Sequence, residues 1–291
     1  DADMAFEGSV SGGCVEGAVI MEAVEAMQDG TCRILSFGVS DDTAFEVGLA
    51  CGGQIAVMVE PVGVGQGPSV DELRALVDAR AARTPVIWEV DTENWARRLV
   101  ARNPGDEERE ALFRSDKSAR DGAVFRGVHN PPLRLVIVGA VHIAQPLVQM
   151  ARLAGYDIVL SDPRDSFASA ERFPGERFLE GWPDEALEAY GLDTRTAVVT
   201  LSHDPKIDTP ALQTALASEA FYIGALGSTR THAKRIAALT EAGLSEAQIA
   251  RIDGPVGLDI GAASPAEIAV SIMGEMTERL RRPETRPGQA S

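Results

Sequence analysis

The chain has 291 residues, of which 45% are hydrophobic, and this is enough for the cores of two domains. Its 27 basic and 44 acidic side chains give a formal net charge of −17. A surface this acidic repels nucleic-acid backbones and anionic lipid, and it excludes both as favoured partners. The three cysteines lack the spacing of a disulfide framework or a metal finger, and no apolar run approaches the length of a membrane span. We therefore expect a cytoplasmic protein.

The first half of the chain alternates glycine-rich turns with short apolar runs. The elements predicted there are a helix after residue 15, strands at 34–39 and 54–60, a helix at 70–83 capped by Ser69, and a strand at 86–90. Residues 97–126 are charged and irregular, and they predict only one helix, near residues 106–113. The double proline that ends residues 127–132 indicates a domain boundary.

After Pro132 the pattern changes to strands that alternate with helices. The predicted strands are 133–138, 156–160, 197–201 and 220–223, and the predicted helices include 210–218, 228–242 and 265–282. This alternation is typical of a parallel, doubly wound sheet. We therefore predict an α/β protein with an N-terminal mixed α/β domain at residues 1–126, a Rossmann-like parallel-sheet domain at 127–282 and a disordered tail at 283–291.

The turn after the first strand of the second half departs from the dinucleotide-binding fingerprint. That fingerprint is G-x-G-x-x-G/A, followed by an acidic residue roughly 20 positions on that binds the ribose hydroxyls. Gly139 supplies the first glycine, but Val141 stands where a glycine normally lets the backbone approach the pyrophosphate. Asp162 ends the next strand, at the position of the ribose acid. Pro146 predicts a helix that starts near residue 145, because proline suits the first helical turn.

These features predict an adapted anion site rather than a standard NAD site. Its candidate residues are Gly139, His142 and Asp162. The alternative is a connection that binds nothing. A second glycine-rich turn carries the candidates Gly227, Ser228 and Arg230, since it too follows a strand and opens a helix.

Two cysteines of the first half are set among glycines. The candidate binding residues there are Ser11, Gly12, Gly13 and Cys14 in one segment, and Cys51, Gly52 and Gly53 in the other. Cys14 precedes a predicted helix, whose dipole lowers a thiol pKa and favours the thiolate, a soft metal ligand. The competing interpretation is that both cysteines are small buried hydrophobes.

Taken together, these segments resemble the XdhC/CoxI family of bacterial accessory proteins for molybdenum hydroxylases. The first half carries two of the family's blocks, GSVSGGCVE at residues 8–16 and LSFGVSDDTAFEVGLACGG at residues 35–53. The second half carries VIVGAVHIAQ, SDPR, AERFP, LSHDPKID, YIGALGSTR and GPVGLDIGAASPAEIAVSI. The blocks are colinear and span nearly the whole chain, so their combination is specific.

The resemblance implies a chaperone that binds the molybdenum cofactor, either as molybdopterin or as its cytosine dinucleotide. Such a chaperone protects the cofactor during sulfuration and delivers it to an apo molybdenum hydroxylase of the xanthine dehydrogenase or carbon monoxide dehydrogenase type. The resemblance also implies a homodimer and contact with a cysteine desulfurase. By position, Cys14 and Cys51 become candidate cofactor contacts and metal ligands, and we expect them to share one pocket with the anion-binding turns.

Three other functions stay open at this point. An NAD(P)-dependent oxidoreductase would bind its nucleotide at the Rossmann half, although Val141 counts against it. A sulfur or nucleotidyl transferase would act on the pterin, with sulfur carried on Cys14 or Cys51. A docking protein would never contact the cofactor. The sequence favours a non-catalytic carrier over these.

Overall fold

The structure is a computed structural model that describes residues 6–11, 13, 15–38, 54–103 and 105–282. The chain forms two compact units, Asp1–Pro131 and Pro132–Ser291. A boundary after residue 126, as expected from the sequence, would cut the strand Val124–His129. We therefore place the domain boundary after Pro131. The predicted tail at 283–291 lies outside the described residues.

The first unit contains a two-stranded and a four-stranded antiparallel sheet together with three helices in its described part. In chain order its elements are α1 (Glu16–Asp29), β1 (Arg33–Phe37), β2 (Ile55–Val59), α2 (Val70–Ala81), β3 (Val86–Asp91), β4 (Arg97–Ala101), α3 (Glu107–Ser115), β5 (Ala119–Asp121) and β6 (Val124–His129). β1 pairs with β2, and the larger sheet has the order β4-β3-β6-β5. Ser69 and Glu72 form a capping box at the start of α2, as the predicted Ser69 cap requires.

The prediction that residues 97–126 are irregular was wrong, because three strands form there. β4 and β6 both pair along the length of β3, whose residues from Val86 to Val90 are buried. The arginine-rich sequences of β4 and β6 carry little strand signal of their own. Their conformation is decided by pairing with a buried apolar strand that is distant in sequence.

The second unit is a six-stranded parallel sheet with helices on both faces, which confirms the predicted Rossmann-like fold. Its elements are β7 (Arg134–Val138), α4 (Ala144–Leu153), β8 (Asp157–Ser161), β9 (Arg177–Phe178), α5 (Pro183–Tyr190), β10 (Thr196–Thr200), α6 (Pro205–Ala217), β11 (Tyr222–Ala225), α7 (Thr229–Glu241), α8 (Glu246–Ile249), β12 (Ile252–Asp253) and α9 (Pro265–Arg281). Helices α4 and α9 pack on one face of the sheet, and α5 and α6 pack on the other. Every residue of β7 and β10 is buried, as expected for central parallel strands.

The strand order β12-β11-β10-β7-β8-β9 defines where a ligand is expected to bind. It is the doubly wound order in which the chain leaves β7 towards one edge of the sheet and leaves β10 towards the other. Ligands of such sheets bind at the carboxyl ends of the strands, at this switch point. In the register of the sheet, Val138 lies beside Ser161 on one side and Thr200 on the other, so the turns that follow these residues meet at one edge.

Two helix boundaries differ from the predictions. α4 begins at Ala144, with Pro146 in its first turn, one residue before the expected start. α6 begins at Pro205 rather than at Pro210, because Asp204 accepts a hydrogen bond from the backbone N–H of Lys206 and caps the helix. Pro210 therefore lies inside the helix. Among the described residues, none of the helices combines the length and apolar character required to cross a membrane.

Candidate functional site at the carboxyl edge of the parallel sheet

Gly139 allows the turns after β7 and β10 to approach each other closely. Its φ is 100°, in the left-handed region, and a Cβ at this position would lie 2.7 Å from the backbone nitrogen of Ser202. A side chain here would therefore separate the two turns at the switch point.

Both backbone polar groups of the next residue, Ala140, are hydrogen-bonded to side chains. Its N–H donates to Asp162 Oδ2 at 2.8 Å, and its carbonyl accepts from Arg172 Nη1 at 2.7 Å. Arg172 also donates to the Phe167 carbonyl, at 3.0 Å. The turn that was predicted to receive an anion is thus fixed by side chains that follow β8 in sequence.

Both carboxylate oxygens of Asp162 accept hydrogen bonds that fix this turn. Besides the Ala140 N–H, the carboxylate accepts hydrogen bonds from Arg164 N, Nε and Nη2 at 3.0, 2.8 and 2.8 Å, so each oxygen accepts two hydrogen bonds. Burial alone would raise the pKa of Asp162, but the bonds from Arg164 and Ala140 outweigh it and hold that pKa below its ordinary value. We infer that Asp162 positions the turn, while its contact with a ribose hydroxyl stays a prediction.

The amides that follow Ala140 supply the anion-receptive part of this turn. Ile143, at the N-cap of α4, makes no side-chain capping hydrogen bond. Within the described residues, the N–H groups of Val141, His142 and Ile143 make no hydrogen bond, and the His142 side chain is exposed. Unsatisfied N–H groups at a helix N-terminus favour a negatively charged ligand.

The turn after β10 contains a strained residue that the sequence analysis did not single out. His203 has a φ of 63°, which is unusual for a residue other than glycine. It lies between Ser202, whose hydroxyl donates to Asp208 at 2.6 Å, and Asp204, which caps α6. Strained backbone of this kind is concentrated at functional sites. The imidazole of His203 is exposed at the switch point, next to the Gly139 turn.

The third turn at this edge, after β11, carries the remaining candidates of the second unit. Ser228 is the N-cap of α7, and its hydroxyl accepts a hydrogen bond from the backbone N–H of Thr231 at 3.2 Å. Gly227 has a φ of 151°, and Arg230 is exposed. The structure therefore brings all six predicted residues of this unit (Gly139, His142, Asp162, Gly227, Ser228 and Arg230) to one edge of the sheet.

In the first unit, the segment that precedes α1 is wrapped around one carboxylate. Glu16 accepts hydrogen bonds from the hydroxyls of Ser9 and Ser11 at 2.6 and 2.8 Å. It also accepts from the backbone N–H groups of residues 10, 11, 13 and 15. The hydrogen bonds from Ser9 and Ser11 lower the pKa of Glu16 far below its ordinary value. Of the predicted residues here, Ser11 and Gly13 are thus bound by Glu16, whereas Gly12, Cys14, Cys51, Gly52 and Gly53 lie outside the described residues.

Cys32, the third cysteine, is a free and buried thiol. Its backbone N–H donates to Gln66 Oε1 at 3.0 Å, and burial raises the pKa of its thiol. A raised pKa opposes thiolate formation, which suits the interpretation of Cys32 as a small core residue.

A cluster of arginines around Glu89 is a feature of the first unit that the sequence did not reveal. The Glu89 side chain is only 6% exposed, and it contacts Arg98, Arg109 and Arg126 at 2.6, 2.8 and 3.3 Å. Burial opposes ionisation of Glu89, but the bonds from Arg109 and Arg98 outweigh it and lower the pKa. These side chains line a cavity of about 260 Å³. Asp106 and Glu108 pair with Arg109 and Arg126, and the cluster ties α3 to the sheet.

In the part of the chain that the structure describes, no group of three or more His, Cys, Asp or Glu side chains is placed to hold a metal ion. The turns at the carboxyl edge of the parallel sheet offer backbone N–H groups and guanidinium groups, which suit phosphate and other oxyanions.

Comparison with known families matches both units. The family described as the XdhC Rossmann domain matches residues 135–276, and the XdhC and CoxI family matches residues 1–38. The molybdenum cofactor insertion chaperone PaoD of Escherichia coli K12 is 31% identical over 283 residues, covering 97% of this chain and 77% of PaoD. A probable xanthine dehydrogenase subunit of Bacillus subtilis 168 is 24% identical, covering 94% of this chain and 84% of that protein.

A solved structure with the same fold extends the comparison to three dimensions. It is described as a xanthine dehydrogenase from Bacillus halodurans, and it is similar with a TM-score of 0.67 at 23% identity, covering 98% of this chain and 85% of that one.

Proposed function

This chain belongs to the XdhC and CoxI family, and from that premise we propose that it binds the molybdenum cofactor, protects it and delivers it to an apo molybdenum hydroxylase. The observation that carries the proposal is the 31% identity to a molybdenum cofactor insertion chaperone over 97% of the chain. The cofactor is cargo in this proposal, and the protein itself catalyses no change in it.

We assign metal binding to the first unit. Cys14 and Cys51 supply thiolates, which are soft donors suited to molybdenum. Glu16 supports this assignment, because its carboxylate bonds the backbone on both sides of Cys14, at Gly13 and Val15. These hydrogen bonds fix the backbone at Gly13 and Val15 before a ligand arrives, and such preorganisation raises affinity.

We assign phosphate binding to the second unit. The pterin of the cofactor carries a phosphate, as a monoester in molybdopterin or within a diphosphate in its cytosine dinucleotide. The amides of residues 141–143 and the turn at Gly227 and Ser228 offer donors for such groups without a net positive surface. This fits a chain whose formal net charge is −17 and which therefore holds anions by local groups.

The partners in this proposal follow the family. They are an apo molybdenum hydroxylase, which receives the cofactor, a cysteine desulfurase, which supplies sulfur, and a second copy of the chain. An NAD(P)-dependent oxidoreductase is less well supported. Val141 replaces the pyrophosphate-contacting glycine, and the Asp162 carboxylate already accepts four hydrogen bonds.

A transfer assay tests the proposal. The protein is loaded with cofactor without oxygen, separated from free cofactor and mixed with an apo molybdenum hydroxylase, whose recovered activity is measured. We expect the recovered enzyme activity to rise linearly with the amount of loaded protein added. Each loaded chain should restore at most one cofactor site of the enzyme. If each chain restored more than one enzyme site while it chemically changed the pterin, the protein would instead be a transferase.

The cysteines are tested in the same assay. Cys14→Ala and Cys51→Ala should each reduce the cofactor retained after separation, because each removes a soft ligand. Cys32→Ala is the matched control, since it removes a buried thiol that the proposal does not use. Equal retention in all three variants would reduce Cys14 and Cys51 to packing residues.

A further inference from the structure

Arg235, in the second turn of α7, is a buried cation with an incomplete set of partners. Its side chain is 7% exposed. Nη2 donates to the carbonyl of Leu226 at 2.9 Å, whereas Nη1 is buried and has no hydrogen-bond partner among the described residues. A buried guanidinium that keeps an unsatisfied N–H is energetically unfavourable, so a missing acceptor is indicated.

The nearest carboxylate compensates this charge poorly. Asp208 Oδ2 lies 3.9 Å from Arg235 Nη2, beyond hydrogen-bond distance, and Asp208 Oδ1 accepts from the Ser202 hydroxyl instead. Burial lowers the pKa of Arg235 and raises the pKa of Asp208, so burial disfavours the charged form of each partner. Arginine nevertheless stays protonated in proteins. The pair is therefore too weak to account for a buried positive charge.

The unsatisfied nitrogen lies beneath a glycine turn at the start of a long helix. Arg235 Nη1 is 3.8 Å from the position that a Cβ on Gly227 would take, and Thr231 bounds the same space at 3.0 Å. α7 has 13 residues, and its N-terminus carries a partial positive charge. A cation is unfavourable at that end of a helix unless an anion accompanies it. Within the described residues, the first-turn N–H groups of Thr229 and Arg230 make no hydrogen bond.

We propose that a phosphate group binds over Gly227 and Ser228, where it accepts hydrogen bonds from Arg235 Nη1 and from the first-turn amides of α7. A side chain at residue 227 would lie 3.8 Å from Arg235 Nη1 and 3.0 Å from Thr231, so it would crowd the approach of a ligand to the guanidinium. The phosphate gives Arg235 the acceptor that Asp208 does not provide, and it neutralises the helix terminus at the same time.

The site binds the group and not a particular molecule, since a free phosphate and a phosphomonoester present the same oxygens. It rests on the phosphate binding that the proposed function assigns to this turn, and it adds Arg235 as the cation of that site. If that function holds, the site binds a phosphate of the pterin cofactor. If it fails, the site remains as a phosphate site of the Rossmann unit.

The test measures the thermal midpoint of the whole chain against inorganic phosphate, with chloride added to constant ionic strength. We expect the midpoint of the wild type to rise with phosphate and not with chloride. Arg235→Met should weaken the apparent phosphate affinity at least about tenfold, because it removes a charge-assisted hydrogen bond. Lys234→Met is the matched control, since it removes the same charge from an exposed position on the same helix and should leave phosphate affinity unchanged.

A second variant guards against a purely structural effect of Arg235. Arg235→Lys keeps a positive charge at this position, and it should retain part of the phosphate response that Arg235→Met loses. Glycerol phosphate is compared with inorganic phosphate, and tighter binding of the ester indicates that the natural ligand is a larger phosphorylated molecule. A wild type that does not respond to phosphate, or an Arg235→Met variant that responds as Lys234→Met does, would overturn the proposal.

Discussion

Replacing Asp162 by alanine should destabilise the parallel-sheet unit and loosen the turn after β7. The carboxylate accepts four hydrogen bonds, and its side chain is 0% exposed. Its loss leaves the Ala140 N–H buried without an acceptor, which costs about 1–3 kcal/mol. Arg164 also loses its partner, but its side chain is 32% exposed and water replaces the bond, so this adds only about 1 kcal/mol.

The expected total of roughly 2–4 kcal/mol corresponds to a fall in Tm of about 4–16 °C for a unit of this size. Calorimetry of the whole chain measures it. Hydrogen exchange of the peptide that contains Ala140 localises the effect, because this amide should become unprotected in the variant. Ligand binding gives a third measurement. Ribose-bearing ligands and simple phosphate should weaken together, because both depend on the geometry of the turn.

Asp165→Ala is the control for this experiment. It removes the same charge three residues away, at an exposed position, and should change stability by no more than about 0.5 kcal/mol. If Asp162→Ala kept the wild-type stability and lost only ribose-bearing ligands, the positioning role would be refuted. The carboxylate would then act as the ribose acceptor that the fingerprint predicts.

The remaining predictions concern the first unit and the stability of the protein at acidic pH. Glu89→Gln should lower the free energy of unfolding by roughly 2–4 kcal/mol, since it uncouples three arginines from a buried carboxylate. Urea unfolding followed by tryptophan fluorescence measures this change. Glu16→Gln should reduce cofactor retention more than Glu25→Gln, a control at an exposed position of the same helix, because Glu16 bonds the backbone of Gly13 and Val15 beside Cys14. The folded-state pKa of Asp162 is lowered, so its contribution is present above its unfolded pKa of about 3.9 and is lost as pH falls below that value. Stability should therefore fall less steeply below pH ~4 in Asp162→Ala than in the wild type, and equal slopes would contradict the assignment.

The Rossmann-like half was predictable because its signals are local. Continuous apolar runs such as residues 135–138 form central strands, and caps such as Ser264 with Pro265 start helices where the sequence indicates. The strands of residues 97–126 were not predictable in the same way. β4 and β6 are specified by pairing with β3, and no periodicity within their own sequences indicates that pairing.

In the candidate site, too, the sequence predicted the features that depend on local signals and missed those that depend on three-dimensional contacts. Sequence spacing located Gly139, Asp162 and Gly227 at strand ends, which follows from the βα rhythm. It did not reveal that Arg164 donates hydrogen bonds to the Asp162 carboxylate, because the sequence does not fix the side-chain conformation of an arginine two residues later. Arg235 was missed for a related reason: a helical arginine acquires meaning only when its burial and its unsatisfied Nη1 are known.

The central claim is that the protein carries molybdenum cofactor in stoichiometric amount. The most direct test purifies the chain without oxygen from cells that make the cofactor, and measures molybdenum by mass spectrometry and pterin by the fluorescence of its oxidised form. Our account predicts molybdenum and pterin in equal amounts, approaching one of each per chain. Protein that holds NAD in their place, or that holds neither under conditions in which the cofactor is abundant, would contradict it.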